Sequence, residues 1–146
     1  MYTFRFRIIA ILALSASTVS ATDYYPEVMF ILDSSGSMAE NIDGKMKIDA
    51  AKEVMHQVVP NLHKSVRIGL TAYGHRRPGD CSDIEVLIPA GSNDRTKLLS
   101  QVDQLQPRGR TPISAAILSV CGSLKLKDAE TTIILVSDGI ETCGGD

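Results

Sequence analysis

At 146 residues the chain is long enough for one domain around a single core. Fifteen basic residues stand against seventeen acidic ones, a formal net charge of −2, with aromatic residues at 5%. That balance excludes the basic, ring-bearing surface on which nucleic-acid phosphates and bases are held. Cys81, Cys121 and Cys143 form no CxxC pair, and no His or Cys cluster has zinc-ligand spacing, which excludes a zinc-finger framework.

The first stretch does not belong to the fold. Residues 1–21 carry Arg5 and Arg7, then the apolar run Ile8 to Leu14, then small residues ending Val19-Ser20-Ala21. This is the pattern of a secretory signal peptide, with cleavage predicted after Ala21. The apolar run is too short for a membrane-spanning helix, and no later stretch is long enough for one. Its loss takes two basic residues and no acidic ones, so residues 22–146 carry 13 Lys+Arg against 17 Asp+Glu, a net charge of −4. The expected location is the periplasm or the cell exterior.

Within residues 22–146 the first predicted strand is Glu27 to Leu32, a nearly continuous apolar run of the kind buried on both faces of a parallel sheet. A polar loop from Asp33 to Gly44 follows. Ile48, Ala51, Met55, Val58 and Val59 then recur at helical spacing between Lys45 and Val59, and Pro60 is expected to end that helix. Val66 to Tyr73 reads as a second strand. After a loop through Cys81 comes a third, Ile84 to Ile88, expected to stop at Pro89 and to pair antiparallel at the sheet edge. Ser92-Asn93-Asp94 caps a helix through Leu105, with Leu98, Leu99, Val102 and Leu105 on one face. Pro112 opens a further helix to about Leu126, with Ile113, Ala116, Ile117, Val120 and Leu124 inward, and Cys121 is expected as a buried thiol. Thr131 to Ser137 is the fourth strand.

Strand, helix, strand, hairpin strand, two helices and a strand make an α/β fold. The expectation is a doubly wound, mostly parallel central sheet with one antiparallel edge strand and helices on both faces. The first and fourth strands are predicted neighbours. The chain stops soon after the fourth, at Cys143-Gly144-Gly145-Asp146, and reads as the N-terminal part of a larger fold.

The chemistry concentrates where the first strand ends, in Asp33-Ser34-Ser35-Gly36-Ser37. Asp33, Ser35 and Ser37 alternate, so their oxygens can face one concavity, with Gly36 allowing a sharp turn. A carboxylate with two hydroxyls is a hard-oxygen set, suited to Mg²⁺, Mn²⁺ or Ca²⁺. Read singly, Thr111 before Pro112 serves equally as a helix cap, and Asp138 before Gly139 as a turn residue.

Taken together and in this order, Asp33, Ser35, Ser37, Thr111 and Asp138 resemble the metal-ion-dependent adhesion site of von Willebrand factor type A domains. The resemblance runs from about Glu27 onward. It is sharpest, through Tyr73-Gly74-His75-Arg76, Gly79 to Glu85 and Ser137 to Asp146, to exported bacterial members, and the family's last two parallel strands and their helices are missing. It implies a non-enzymatic module that binds a protein partner through a divalent cation, Mg²⁺ foremost, with hydroxyl ligands and an open position for a partner's carboxylate. On that reading His75, Arg76 and Arg77 form a basic rim that steers an acidic partner, the alternative being a solvated loop. Cys81 and Cys143 lie in loops on the same face and are candidates for a disulfide, the competitor being a bond from Cys143 to a cysteine beyond Asp146. The competing functions are a metal-free scaffold or inactive fragment, and a phosphatase with Asp33 as nucleophile. That chemistry wants a second aspartate two residues on as general acid, and position 35 is a serine.

Overall fold

Strand β1 (Glu27–Asp33) is apolar at nearly every position because both of its faces are covered. In the computed structural model, which describes residues 26–124 and 130–144, it is followed by a single 3-10 turn at Gly36–Ala39. The predicted signal peptide and the end of the third predicted helix lie outside the described residues. Next comes a small antiparallel hairpin, β2 (Asn41–Ile42) and β3 (Lys45–Met46). Asp43 and Gly44, at φ 53° and 83°, make the left-handed turn that a two-residue hairpin requires. Helix α1 (Lys47–Asn61), strand β4 (Arg67–Tyr73), strand β5 (Ile84–Ser92), helices α2 (Arg95–Gln104) and α3 (Ile113–Leu124) and strand β6 (Thr131–Val136) complete the order.

The sheet order is β5-β4-β1-β6. β1 runs parallel to β4 on one side and to β6 on the other, and β5 is antiparallel to β4. Phe30 and Leu32 of β1 join Ile68, Leu70 and Ala72 of β4 under α1 and α2. Met29, Ile31 and Tyr73 point the opposite way and pack on Ala116 and Val120 of α3. This is the expected α/β arrangement, a mostly parallel sheet with one antiparallel edge and helices on both faces. The chain leaves β1 toward β4 and returns to its other side through β6, so the crevice at the carboxyl end of β1 is where ligands gather in such sheets.

Some local expectations are corrected. β5 does not stop at Pro89 but runs through Ser92. Proline cannot donate to a ladder, and here the β4–β5 register shifts between Ile68 and Leu70, so pairing skips from Ile88 to Ser92 past Pro89. Helix α1 begins two residues later than expected and carries Pro60 inside it, ending one residue beyond the proline instead of before it. Val58 is 38% exposed rather than inward. Cys121 is a half-buried free thiol, not a fully buried one. Asp94 caps α2 as its sequence implies, its side chain accepting from Lys97 N at 2.8 Å.

Candidate metal centre

Because Leu32 pairs with Val136 in the parallel β1–β6 ladder, Asp33 and the Ser137–Asp138 pair emerge side by side from the same edge. Asp33 is fully buried. One of its oxygens accepts from Ser35 N at 2.7 Å, and the other from the Ser137 hydroxyl at 2.6 Å. The first bond folds the chain back on itself directly after β1, which turns the Ser35 and Ser37 hydroxyls to within 3.1 Å of each other. Ser37 Oγ in turn donates to Asp138 Oδ1 at 3.0 Å.

Backbone bonds hold this turn in place. Ser34 N donates to Tyr73 O and Gly36 N to Gly109 O, both at 2.9 Å. Gly109 N donates to Gly74 O at 2.7 Å. Glycine is needed at Gly74, which has φ 69° and where a Cβ would lie 2.7 Å from Arg110 O. It is needed at Gly109 too, where a Cβ would meet Gly74 Cα at 2.8 Å. Gly36, expected to be the critical turn residue, has ordinary room: its Cβ would lie 3.7 Å from its nearest neighbour.

The Gly109 loop delivers Thr111. Its N–H donates to Thr142 Oγ1 and its carbonyl accepts from Thr142 N, so it is fastened to the segment after β6. Helix α3 starts one residue beyond Pro112, whose carbonyl accepts from Ala116 N. Thr111 therefore stands outside the capping position and over the site. A Cβ on Gly139 would lie 3.2 Å from Thr111 Cγ2 and 3.4 Å from Asp33 Oδ2, so the bare glycine lets these two side chains share one concavity. All five sequence-predicted oxygen ligands converge here, beside an open cleft of about 360 Å³ that Ser37, Arg110, Thr111, Asp138 and Ile140 help to line.

Three neighbours were not foreseen. Ser137 bridges Asp33, the Tyr73 hydroxyl at 3.3 Å and Gly139 N at 3.1 Å. Burial pushes the Tyr73 phenol well above the ordinary tyrosine value, so it remains a neutral donor. Lys47 donates to Asp138 Oδ2, and to Glu40 Oε2 at 2.6 Å. Its ammonium is held above the usual lysine value, first by the bond to Asp138 and then by that to Glu40. Lys47 could have been noticed, because it opens α1, where unpaired N–H groups disfavour a cation.

The three residues expected as a rim lie in the loop after β4, but none presents a free charge. His75 contacts Glu85 at 2.9 Å, Arg76 Nε contacts Asp83 at 2.7 Å, and Arg77 contacts Asp80 at 2.9 Å. Cys81 in that loop forms a disulfide with Cys143, their Cα atoms 5.7 Å apart. The bond ties the loop after β4 to the segment after β6. Glu141 in that segment accepts from Ser114 N at 2.9 Å, in the first turn of α3, and from Cys143 N at 2.7 Å.

Residues 28–141, nearly all of the described chain, match the von Willebrand factor type A domain. The chain belongs to that family. It is 30% identical over 128 residues to two proteins of Bacillus subtilis (strain 168), "Uncharacterized protein YwmD" and "Uncharacterized protein YwmC". The matches cover 82% of this chain and 57% and 56% of theirs, so it spans little more than half the length of either. Among solved structures, an aerotolerance-related membrane protein from Bacteroides fragilis superposes with a TM-score of 0.67 at 22% identity, covering 82% of this chain and 57% of that one. The vWF domain of the type V pili tip protein Mfa5 from Porphyromonas gingivalis gives 0.61 at 21% identity, covering 83% and 40%. The pilus adhesin SpaC from Lactobacillus rhamnosus GG gives 0.64 at 19% identity, covering 84% and 16%. At these identities the structural likeness establishes the fold.

Proposed function

We propose that this domain is a non-enzymatic protein-binding module that works outside the cytoplasm and depends on a divalent cation. The observation that carries the proposal is the convergence of Ser35, Ser37, Thr111, Asp33 and Asp138 from three separate loops at one sheet edge. The donor set fits a hard cation: three hydroxyls and two carboxylates, all oxygen, all short side chains. Among the described residues no group of three or more His, Cys, Asp or Glu side chains is placed to hold a metal ion, so in this reading hydroxyls supply much of the coordination. Ser35, Ser37 and Thr111 would hold the ion, and Asp33 and Asp138 would balance its charge. With few direct anionic ligands the cation stays electrophilic and can take a carboxylate from a partner. Arg110, exposed on the cleft and without an ion pair among the described residues, faces the same approach.

Catalysis by Asp33 fits the geometry poorly. Both of its oxygens are already committed to Ser35 N and Ser137, and no carboxylic acid stands at position 35 to protonate a leaving group. Export is supported by the leader pattern of residues 1–21 and by the Cys81–Cys143 disulfide, a bond that persists in oxidising compartments. A surface-binding role is also in keeping with the pilus tip protein and pilus adhesin that share the fold.

Calorimetric titration of the full chain with Mn²⁺ and with Mg²⁺, beside a Ser37→Ala variant, tests the proposal. One saturable site whose affinity drops at least about tenfold in the variant, as for loss of one ligand, is the expected result. A folded protein that takes up neither ion sinks the proposal.

A further inference from the structure

Lys47 stands in the metal centre without being one of its oxygen ligands. Its ammonium is bonded to Asp138 Oδ2, while Asp138 Oδ1 accepts from Ser37. The second aspartate therefore has one oxygen turned to the hydroxyl ligands and the other to a tethered cation. Helix stability does not account for a lysine here. It is the first residue of α1, preceded by Met46, which makes no side-chain cap, so a positive charge sits at the end of the helix dipole that favours a negative one. The lysine is also firmly placed: its backbone N–H donates to Glu40 O at 3.0 Å, and its side chain is only 17% exposed.

Glu40 gives the ammonium a second anchor. That carboxylate is 65% exposed, accepts from Lys47 at 2.6 Å, and follows directly on the 3-10 turn that carries Ser37 without being one of the five oxygen ligands. An ammonium released from Asp138 thus keeps a counter-charge without leaving the site.

We infer that Lys47 is a built-in competitor of the divalent ion, supplying the positive charge at Asp138 when the ion is absent and weakening the ion's hold when it is present. This rests on the metal reading above and adds a coupling to it. A partner carboxylate brings negative charge next to both cations, so it offsets the lysine as well as completing the coordination. By linkage, metal and partner then each strengthen the binding of the other. The lysine makes the metal centre respond to the partner instead of being saturated beforehand.

The test uses Mn²⁺ alone, titrated calorimetrically into the full chain as wild type, Lys47→Met and Glu40→Gln, with urea unfolding run on each. Lys47→Met is expected to bind Mn²⁺ on the order of tenfold more tightly, within the usual range of site-to-site coupling. Glu40→Gln, which leaves the ammonium only Asp138 to pair with, is expected to bind a few-fold more weakly on the same basis. Because Glu40 is exposed, that variant reports even if Lys47→Met does not fold. If the lysine is purely structural, its replacement lowers the unfolding free energy and Mn²⁺ affinity is unmoved in both variants, which overturns the inference alone. Absence of Mn²⁺ binding in every form overturns the metal reading and this inference with it.

Discussion

The two aspartates of the candidate metal centre are held in opposite ways. Asp33 is at the end of the central strand, fully buried, in a turn fixed by backbone bonds to Tyr73 and Gly109. Asp138 lies two residues beyond the end of β6, partly exposed, and is held through its side chain by Ser37 and Lys47. The segment behind it is secured from outside: by the disulfide to Cys81, by Glu141 on the first turn of α3, and by Thr142 on Thr111. A strand end with neighbours on both sides can build a rigid half-site from its own backbone. The segment that carries Asp138 is held instead by side-chain bonds and a disulfide.

If that is right, the largest effect on stability comes from the cross-link. Cys81 and Cys143 are 62 residues apart, and closing a loop of that length is worth about 4 kcal/mol by chain entropy. Replacing both with serine should lower the unfolding free energy by about that amount, and it should weaken Mn²⁺ binding in whatever remains folded, because the Asp138 segment is loosened. Urea unfolding and Mn²⁺ titration with and without dithiothreitol read the two effects separately. A stability loss with unchanged metal affinity would show that the disulfide serves the fold and not the site.

Asp33→Ala comes next. It strands the Ser35 N–H and the Ser137 hydroxyl, both of which point at a buried carboxylate. The expected cost is about 3 kcal/mol, the penalty for two donors left without an acceptor, together with loss of metal binding. Chemical denaturation measures the first, and a variant as stable as the wild type would refute the description of this half as self-supporting.

The loop on the other end of the disulfide has its own anchor. Asp83 is fully buried and accepts from Arg76 N at 2.7 Å, Arg77 N at 2.9 Å and Arg76 Nε at 2.7 Å. Burial alone would push its carboxyl up, but the N–H groups of Arg77 and Arg76 and the guanidinium outweigh it and hold the carboxyl below the usual range. A depressed value in the folded state means stability that is present above the unfolded value, near 4, and is lost as pH falls through the folded one. Glu141, drawn down first by Ser114 N–H, acts in the same sense. Thermal melts should therefore fall off below about pH 4. Asp83→Asn should flatten that limb while costing about 2 kcal/mol at neutral pH, and an unaltered acid limb would count against the assignment.

The sequence disclosed the self-supporting half and concealed the other. Asp33, Ser35 and Ser37 are legible because an apolar strand ends abruptly in an alternating oxygen pattern, a purely local signal, and Thr111 and Asp138 follow once three loops are read together. The parallel sheet and its antiparallel edge are legible from strand patterning. The roles of Ser137 and Lys47 are not, because they come from contacts about 90 to 104 residues away in sequence; only the odd place of Lys47 at the start of α1 hints at one. The neutralised rim is a different failure. Asp80, Asp83 and Glu85 lie within ten residues of His75, Arg76 and Arg77, close enough that pairing in a tight loop was the simpler reading. Pro89 misled because the rule against proline in strands yields where a ladder already shifts register.

The smallest stability effect belongs to Asp138, and it makes the sharpest contrast. Its bonds to Ser37 and Lys47 are partly exposed, and such pairs are worth about 0–1 kcal/mol each. Asp138→Asn keeps the size and one acceptor, so unfolding should shift by no more than about 1 kcal/mol. Metal binding should nevertheless be lost as completely as in Asp33→Ala, since each variant removes one of the only two carboxylates in the donor set. Two aspartates equal in the metal titration and unequal in the urea titration would separate the ion's requirements from the fold's. If Asp138→Asn destabilises the chain as much as Asp33→Ala, the Asp138 side is not held from outside.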